Sequence, residues 1–222
     1  MSARVADVMT TKAVAVRANA SFKEIAERLR EHCVSAVPVI DNDDKVIGVV
    51  SEADLLPKEA LEAGYEGHRG LSGLRHRAEQ EKARGVTAAD LMSWPPLTVG
   101  RFDLVSHAAH LMYDHGVTCL PVVDRERLVG VISRADVLSV FGRADADIRR
   151  EIVEKIMLQE FLTDPAQFTV TVRDGVVTLT GRPETAEMGR DIVATVRHME
   201  GVVAVRDEFA YPPTASGTWR GF

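Results

Sequence analysis

Two segments of the chain carry the same order of apolar and polar positions. Phe22, Ile25, Ala26 and Leu29 fall at i, i+3, i+4 and i+7, and Val105, Ala108, Ala109 and Met112 repeat that spacing, which predicts an amphipathic helix in each segment. Each helix is followed by an apolar run, a polar turn and a second apolar run. The runs are 36–40 and 46–50 around Asp41-Asn42-Asp43-Asp44, and 119–123 and 128–132 around Asp124-Arg125-Glu126, so each pair predicts a β-hairpin. A short helix is expected to open at Ser51 and at Ser133, making each segment strand, helix, strand, strand, helix. After Phe141 the pattern changes. Ile148, Ile152 and Ile156 lie four apart on an expected helix, and Phe168, Val170 and Val172 alternate up to Asp174-Gly175, a two-residue hairpin signal. Val177 and Leu179 alternate back. Met188, Ile192, Val196 and Met199 mark a further helix face, and Val203, Val205 and Phe209 alternate along an expected last strand.

The first two segments are one unit used twice. Ala6-Asp7-Val8-Met9 matches Ala89-Asp90-Leu91-Met92, and the register continues through Val16 and Val99, His32 and His115, Pro38-Val39 and Pro121-Val122, and Gly48-Val49 and Gly130-Val131. Ser51 then matches Ser133, and Ala53-Asp54 matches Ala135-Asp136. The expected organisation is a first unit at 1–60, a linker at 61–86, a second unit at 87–142, a separate α+β domain at 143–211 and a flexible tail at 212–222. A helix from about Leu71 to Arg84 is expected in the linker. Its basic start could serve as a flap over a ligand, but a solvated connector accounts for the mixed charge more simply.

Composition narrows the function. A chain of 222 residues, 45% hydrophobic and 27% charged, has the make-up of a globular protein able to bury a core. Its net charge of −6 and pI near 5.7 argue against nucleic acid as a partner. No apolar run approaches a membrane span and the N-terminus has no apolar signal core, so a cytoplasmic location is expected. Cys33 and Cys119 lack the spacing of a zinc site or redox pair and are expected to be buried thiols. His107, His110, His115 and Asp114 gather on one helix, yet Ala108, Ala109 and Met112 claim its buried face. No metal site is therefore expected. Nucleophile elbow, Walker loop and dinucleotide fingerprint are all missing, so no catalytic residue and no required cofactor are assigned.

The repeated Ser-x-x-Asp is the chemistry that remains. In one reading it is a capping box, with serine and acid satisfying the first turn of a helix. In the other, a helix N-terminus that follows a glycine-marked strand is a place to hold a phosphate, and the aspartate can accept two hydrogen bonds from a ribose diol.

Gly48-Val49-Val50-Ser51-Glu52-Ala53-Asp54 and Gly130-Val131-Ile132-Ser133-Arg134-Ala135-Asp136 resemble the Gly-h-x-Thr/Ser-x-x-Asp signature of the CBS domain, where h is apolar. The Asp-Val-Met leader and the segments Val37 to Asp41 and Leu120 to Asp124 match as well. The resemblance, over roughly Val5 to Val140, implies two tandem β-α-β-β-α units packed as one α/β module, commonly dimeric, that binds adenosine nucleotides in clefts between the copies. It further implies that Asp54 and Asp136 take the ribose, Ser51 and Ser133 the phosphate, and Val37-Pro38 and Leu120-Pro121 the base. Arg134 offers a cation where the first copy has Glu52, so the second site is expected to bind better. AMP, ADP or ATP is expected ahead of S-adenosylmethionine or NAD.

Val172 to Gly181 and Gly201-Val202-Val203-Ala204-Val205 resemble the central hairpin and closing strand of the BON domain, an α-β-β-α-β unit, over roughly Ala144 to Tyr211. Phospholipid contact has been proposed for that family, which offers phospholipid or an unknown protein as a partner. Two readings stay open. One is a non-enzymatic ligand-sensing homodimer in which nucleotide occupancy of the CBS pair is relayed to the BON domain. The other is a constitutive dimeric scaffold that binds protein or phospholipid and has no nucleotide ligand.

Overall fold

The computed structural model describes residues 3–62, 85–164 and 167–212. The expected linker helix and the residues of the tail beyond 212 lie outside them. Contacts divide the chain into one compact unit from Arg4 to Val137 and another beginning at Leu138.

The first unit holds the two repeats. The first copy runs α1 (Val5–Val8), β1 (Val16–Arg17), α2 (Phe22–His32), β2 (Ala36–Ile40), β3 (Val46–Ser51) and α3 (Glu52–Glu62). The second runs α4 (Ala88–Leu91), β4 (Val99–Gly100), α5 (Val105–His115), β5 (Cys119–Asp124), β6 (Arg127–Ser133) and α6 (Arg134–Ser139). In each copy the short first strand pairs parallel to the second, and the second pairs antiparallel to the third. This is the expected order of strand, helix, strand, strand and helix, preceded in each copy by a short leader helix that the pattern did not predict. Helix α2 starts because the Ser21 hydroxyl accepts from the Glu24 N–H. It stops where Cys33 takes a left-handed conformation, φ 52°; α5 stops at Gly116, φ 67°.

The copies complete one another. Leu91 and Ala88 of the second leader are fully buried in the first copy's core with Ile25, Leu29, Val37 and Val50. Val5 of the first leader is fully buried in the second copy's core with Ala108, Leu120 and Ile132. Backbone bonds fix the exchange: the Ala88 and Ala89 N–H groups donate to Ala20 and Ala18 at 2.8 and 2.9 Å, and those of Val5 and Ala6 to Asp103 and Arg101 at 2.8 and 2.9 Å. Neither copy buries its apolar stripe alone.

The second unit runs α7 (Asp145–Glu151), a π-helix (Ile152–Glu160), β7 (Phe168–Arg173), β8 (Val176–Gly181), α8 (Ala186–Arg197) and β9 (Ala204–Phe209). Strands β7 and β8 are antiparallel, and β9 is parallel to β8. Asp174 and Gly175, at φ 50° and 73°, form the expected turn. Two details depart from the sequence pattern. The isoleucine helix changes from α to π at Ile152. A four-residue repeat drifts round an α-helix of 3.6 residues per turn, and a wider π turn carries it back, so Ile148, Ile152 and Ile156 all stay buried. Val203 is 61% exposed; it precedes β9, where its N–H donates to Gly175 O at 2.9 Å, and Val202 enters the core instead.

Candidate ligand-binding clefts

Each leader crosses the third strand of the other copy. Thr10 and Val131 exchange hydrogen bonds at 2.9 and 3.0 Å, and Ser93 and Val49 exchange them at 2.8 and 3.2 Å. The signature glycines make the crossing possible. A Cβ on Gly130 would stand 2.8 Å from the Thr10 carbonyl oxygen, and one on Gly48 would stand 2.8 Å from Met92 Cγ. Glycine here serves the close approach of the leader, against its backbone at Gly130 and against the Met92 side chain at Gly48, with no unusual backbone angle involved.

The strand then ends in the Ser-x-x-Asp turn. The Ser51 N–H and hydroxyl both donate to Asp54 Oδ2 at 2.8 Å. In the second copy the Ser133 N–H and hydroxyl donate to Asp136 Oδ2 at 2.8 and 2.7 Å, and the Asp136 N–H donates back to the Ser133 hydroxyl at 3.2 Å. The reciprocal cap is therefore present in the second copy, and both copies share its acid half, in which the aspartate accepts from the serine N–H. The next N–H in each turn is also engaged, from Glu52 to Ser35 O at 3.0 Å and from Arg134 to Thr118 O at 3.1 Å.

The crossing leaves two clefts, each built from both copies. The first, about 440 Å³, joins Ser51, Glu52 and Asp54 to Ser93, Pro95, Pro96 and Leu97 of the second leader and to 115–120. The second, about 250 Å³, joins Ser133 and Asp136 to Thr10, Lys12, Ala13 and Val14 of the first leader and to 33–36. Ser35 lines both, and its hydroxyl meets that of Thr118 at 3.0 Å.

Several expected positions fall elsewhere. Val37, Pro38 and Pro121 are buried and line neither cleft: Val37 is packed in the first copy's core, and β2 and β5 are covered on both faces, so the prolines beside the core residues are buried as well. Leu120 does line a cleft, but it is the one carrying Asp54. Arg134 is exposed outside the second cleft, its Nε donating to Val117 O at 3.1 Å. The cation there is Lys12, which sequence reasoning passed over. The repeat register held the signal, since it aligns Lys12 with Pro95. Glu52 faces the first cleft as its matched acid.

The two thiols differ. Cys33 is exposed, contrary to expectation, because the left-handed cap turns its side chain away from the core. Burial pushes the Cys119 thiol up to about 11. Both line the second cleft. His107 and His110 point to solvent, His110 Nε2 standing 3.1 Å from Asp114, whereas His115 lines the first cleft. Among the described residues no group of three His, Cys, Asp or Glu side chains is placed to hold a metal. Nor is any helix among them long and apolar enough to cross a membrane.

Comparison with known proteins agrees with this architecture. The CBS domain model matches residues 5–59 and 88–143, and the BON domain model matches 144–213. An uncharacterised protein of Methanopyrus kandleri is 31% identical over 130 residues, 58% of this chain and 58% of its own length. The chloroplastic CBS domain-containing protein CBSX2 of Arabidopsis thaliana is 31% identical over 146 residues, 61% of this chain and 60% of its own. The chain thus spans about three-fifths of each of these relatives. The crystal structure of CBSX2 in complex with AMP superposes with a TM-score of 0.54 at 30% identity, covering 61% of this chain and 94% of that one.

Proposed function

Because the chain belongs to the CBS-domain family and carries a BON domain after the pair, we propose that it is a non-enzymatic regulatory protein whose CBS clefts bind an adenosine-type ligand. One observation carries the reading: each Ser-x-x-Asp turn faces a cavity whose opposite wall comes from the other copy, so a ligand would bridge the two copies and bias their arrangement. The first cleft lies within the size range of small-molecule sites, about 300–1,000 Å³. CBSX2, similar over the CBS pair, has been crystallised with AMP, which supports adenosine as the ligand class.

In this reading Asp54 and Asp136 hold the ribose hydroxyls. Lys12, rather than Arg134, supplies charge to a phosphate in the second cleft. Relay to the BON domain has a covalent route, since α6 starts directly after Ser133 and continues through a 3₁₀ turn at Val140–Gly142 towards α7. Leu56 and Leu138, each 64% exposed at matching positions of α3 and α6, are apolar surface for a second copy of the chain to cover.

A thermal-shift titration with AMP, ADP, ATP and S-adenosylmethionine tests the reading, because a ligand that binds only the native state raises the melting temperature. The expected result is a shift that Asp54→Ala or Asp136→Ala removes while the protein stays folded. Loss of stability in the variants with no ligand shift in the wild type would leave the turns as caps alone and favour the scaffold.

A further inference from the structure

We propose that the open face of the BON sheet holds the phosphate monoester of a soluble small molecule between Arg173 and Arg206. The inference is independent of the adenosine reading of the CBS clefts.

Strand alternation leaves this face uncovered. Val170, Val177, Leu179 and Phe209 point into the core, where Ile148, Ile152, Ile192 and Val196 of the helical elements meet them. The alternate residues make the other face, and there Thr169, Thr171 and Arg173 of β7 and Arg206 and Glu208 of β9 are all exposed. Register brings the polar groups together. Thr171, Thr178 and Arg206 stand in one row across the three strands, and Arg173 starts the next row, opposite Val176. Two strand spacings and one two-residue step put the backbones of Arg173 and Arg206 about 12 Å apart, so their side chains can lean from the two edges of the sheet towards the Thr178 between them. The hollow they form with Thr171, Thr178, Asp174 and Val176 measures about 410 Å³. Among the described residues neither guanidinium has a carboxylate partner.

Two forks on opposite edges ask for acceptors in more than one plane. A carboxylate has two coplanar oxygens and one charge, which a single guanidinium satisfies. A phosphate monoester has three terminal oxygens and about −1.5 to −2 charges, enough for both forks and a threonine hydroxyl. The acidic neighbours limit the site to one such group. Asp174 shares the hollow and Glu208 lies one row beyond Arg206, so the positive and negative side chains of the face balance. A balanced face has no broad field to attract an anionic bilayer, whereas one phosphate can sit between the arginines.

The test is a titration of the full-length protein followed through its backbone amide shifts, which separate this face from the CBS clefts. Glycerol phosphate is expected to move the amides of Thr171, Arg173, Thr178 and Arg206 with a dissociation constant of about 1–10 mM, and acetate at equal ionic strength to leave them in place. Arg173→Gln and Arg206→Gln should each weaken binding about three- to fivefold, while Arg197→Gln, exposed at the end of α8, should not change it. Asp174→Asn removes the opposing charge, keeps an Asn-Gly hairpin turn and should tighten binding about twofold. Asp54→Ala and Asp136→Ala should leave the response as it is. An equal response to acetate, glutamine variants that bind like wild type, or no shift at all overturns the proposal. Co-sedimentation with phosphatidic acid vesicles by a protein whose amides ignore glycerol phosphate overturns the soluble source and makes the face a lipid contact.

Discussion

Gly130→Ala probes the exchange of leaders more directly than any change to the clefts themselves. The new Cβ would lie 2.8 Å from Thr10 O and 2.9 Å from Met9 Sδ, closer than carbon and oxygen pack. Thr10 is pinned by its reciprocal bonds with Val131, so the clash is relieved only if the first leader moves off β6. Crowding of this kind costs about 1–3 kcal/mol, and loosening two backbone hydrogen bonds adds about 1 kcal/mol each at most. Alanine recovers about 0.5–1 kcal/mol because glycine in a strand pays extra backbone entropy. The net loss is about 2–3 kcal/mol, which for a unit of this size lowers the melting temperature by about 4–10 °C. Gly48→Ala is the matching probe at the other crossing. Its Cβ would lie 2.9 Å from Met92 Cβ, which no change of rotamer moves, so a loss of about 1–3 kcal/mol is expected there too. Calorimetry of the full-length variants measures both. Variants as stable as wild type would refute the crossing as the reason for these glycines.

Three further outcomes follow from the structure. Asp145 accepts the N–H groups of Asp174 and Gly175 at 2.8 and 2.9 Å and ties the hairpin tip to α7, so Asp145→Ala should cost about 1–3 kcal/mol and speed amide exchange at 174 and 175 ahead of the rest of the sheet. Burial pushes the Glu151 carboxyl up, but hydrogen bonds from Lys155 at 2.8 Å and Arg143 at 2.7 Å outweigh it and hold it below the ordinary glutamate range. A depressed acid stabilises the fold fully above its unfolded pKa, and that stability is lost as pH falls through the folded one. Melting curves between pH 7 and pH 3 should accordingly fall less steeply for Glu151→Gln than for wild type, and parallel curves would contradict this. A thiol reagent at pH 8 should modify the exposed Cys33 quickly and the half-buried Cys119, with its thiol pushed up to about 11, slowly; mass mapping of equal labelling would show the second cleft to be more open than described.

Much of the fold was legible from local pattern, because the period of an amphipathic helix or hairpin is set within ten or so residues. The i, i+3, i+4 and i+7 apolar positions of α2 and α5, the hairpins at 36–51 and 119–133, and the Asp174-Gly175 turn all stand where periodicity and turn chemistry put them. The capping geometry of Ser51 with Asp54 and Ser133 with Asp136 was legible for the same reason, since its partners lie three residues apart. Packing against a distant segment is a different matter. That Val37 belongs to the core, that Arg134 turns to Val117 while Lys12 lines the second cleft, and that Leu120 lines the cleft carrying Asp54 depend on which leader crosses which sheet. The sequence by itself determined two copies of one unit, their elements and their caps. Tertiary structure alone decided that the copies exchange leaders and that each cleft has one wall from either copy, because a short helix with one apolar face gains its burial from whichever sheet it reaches in space, and its own spacing carries no record of that choice.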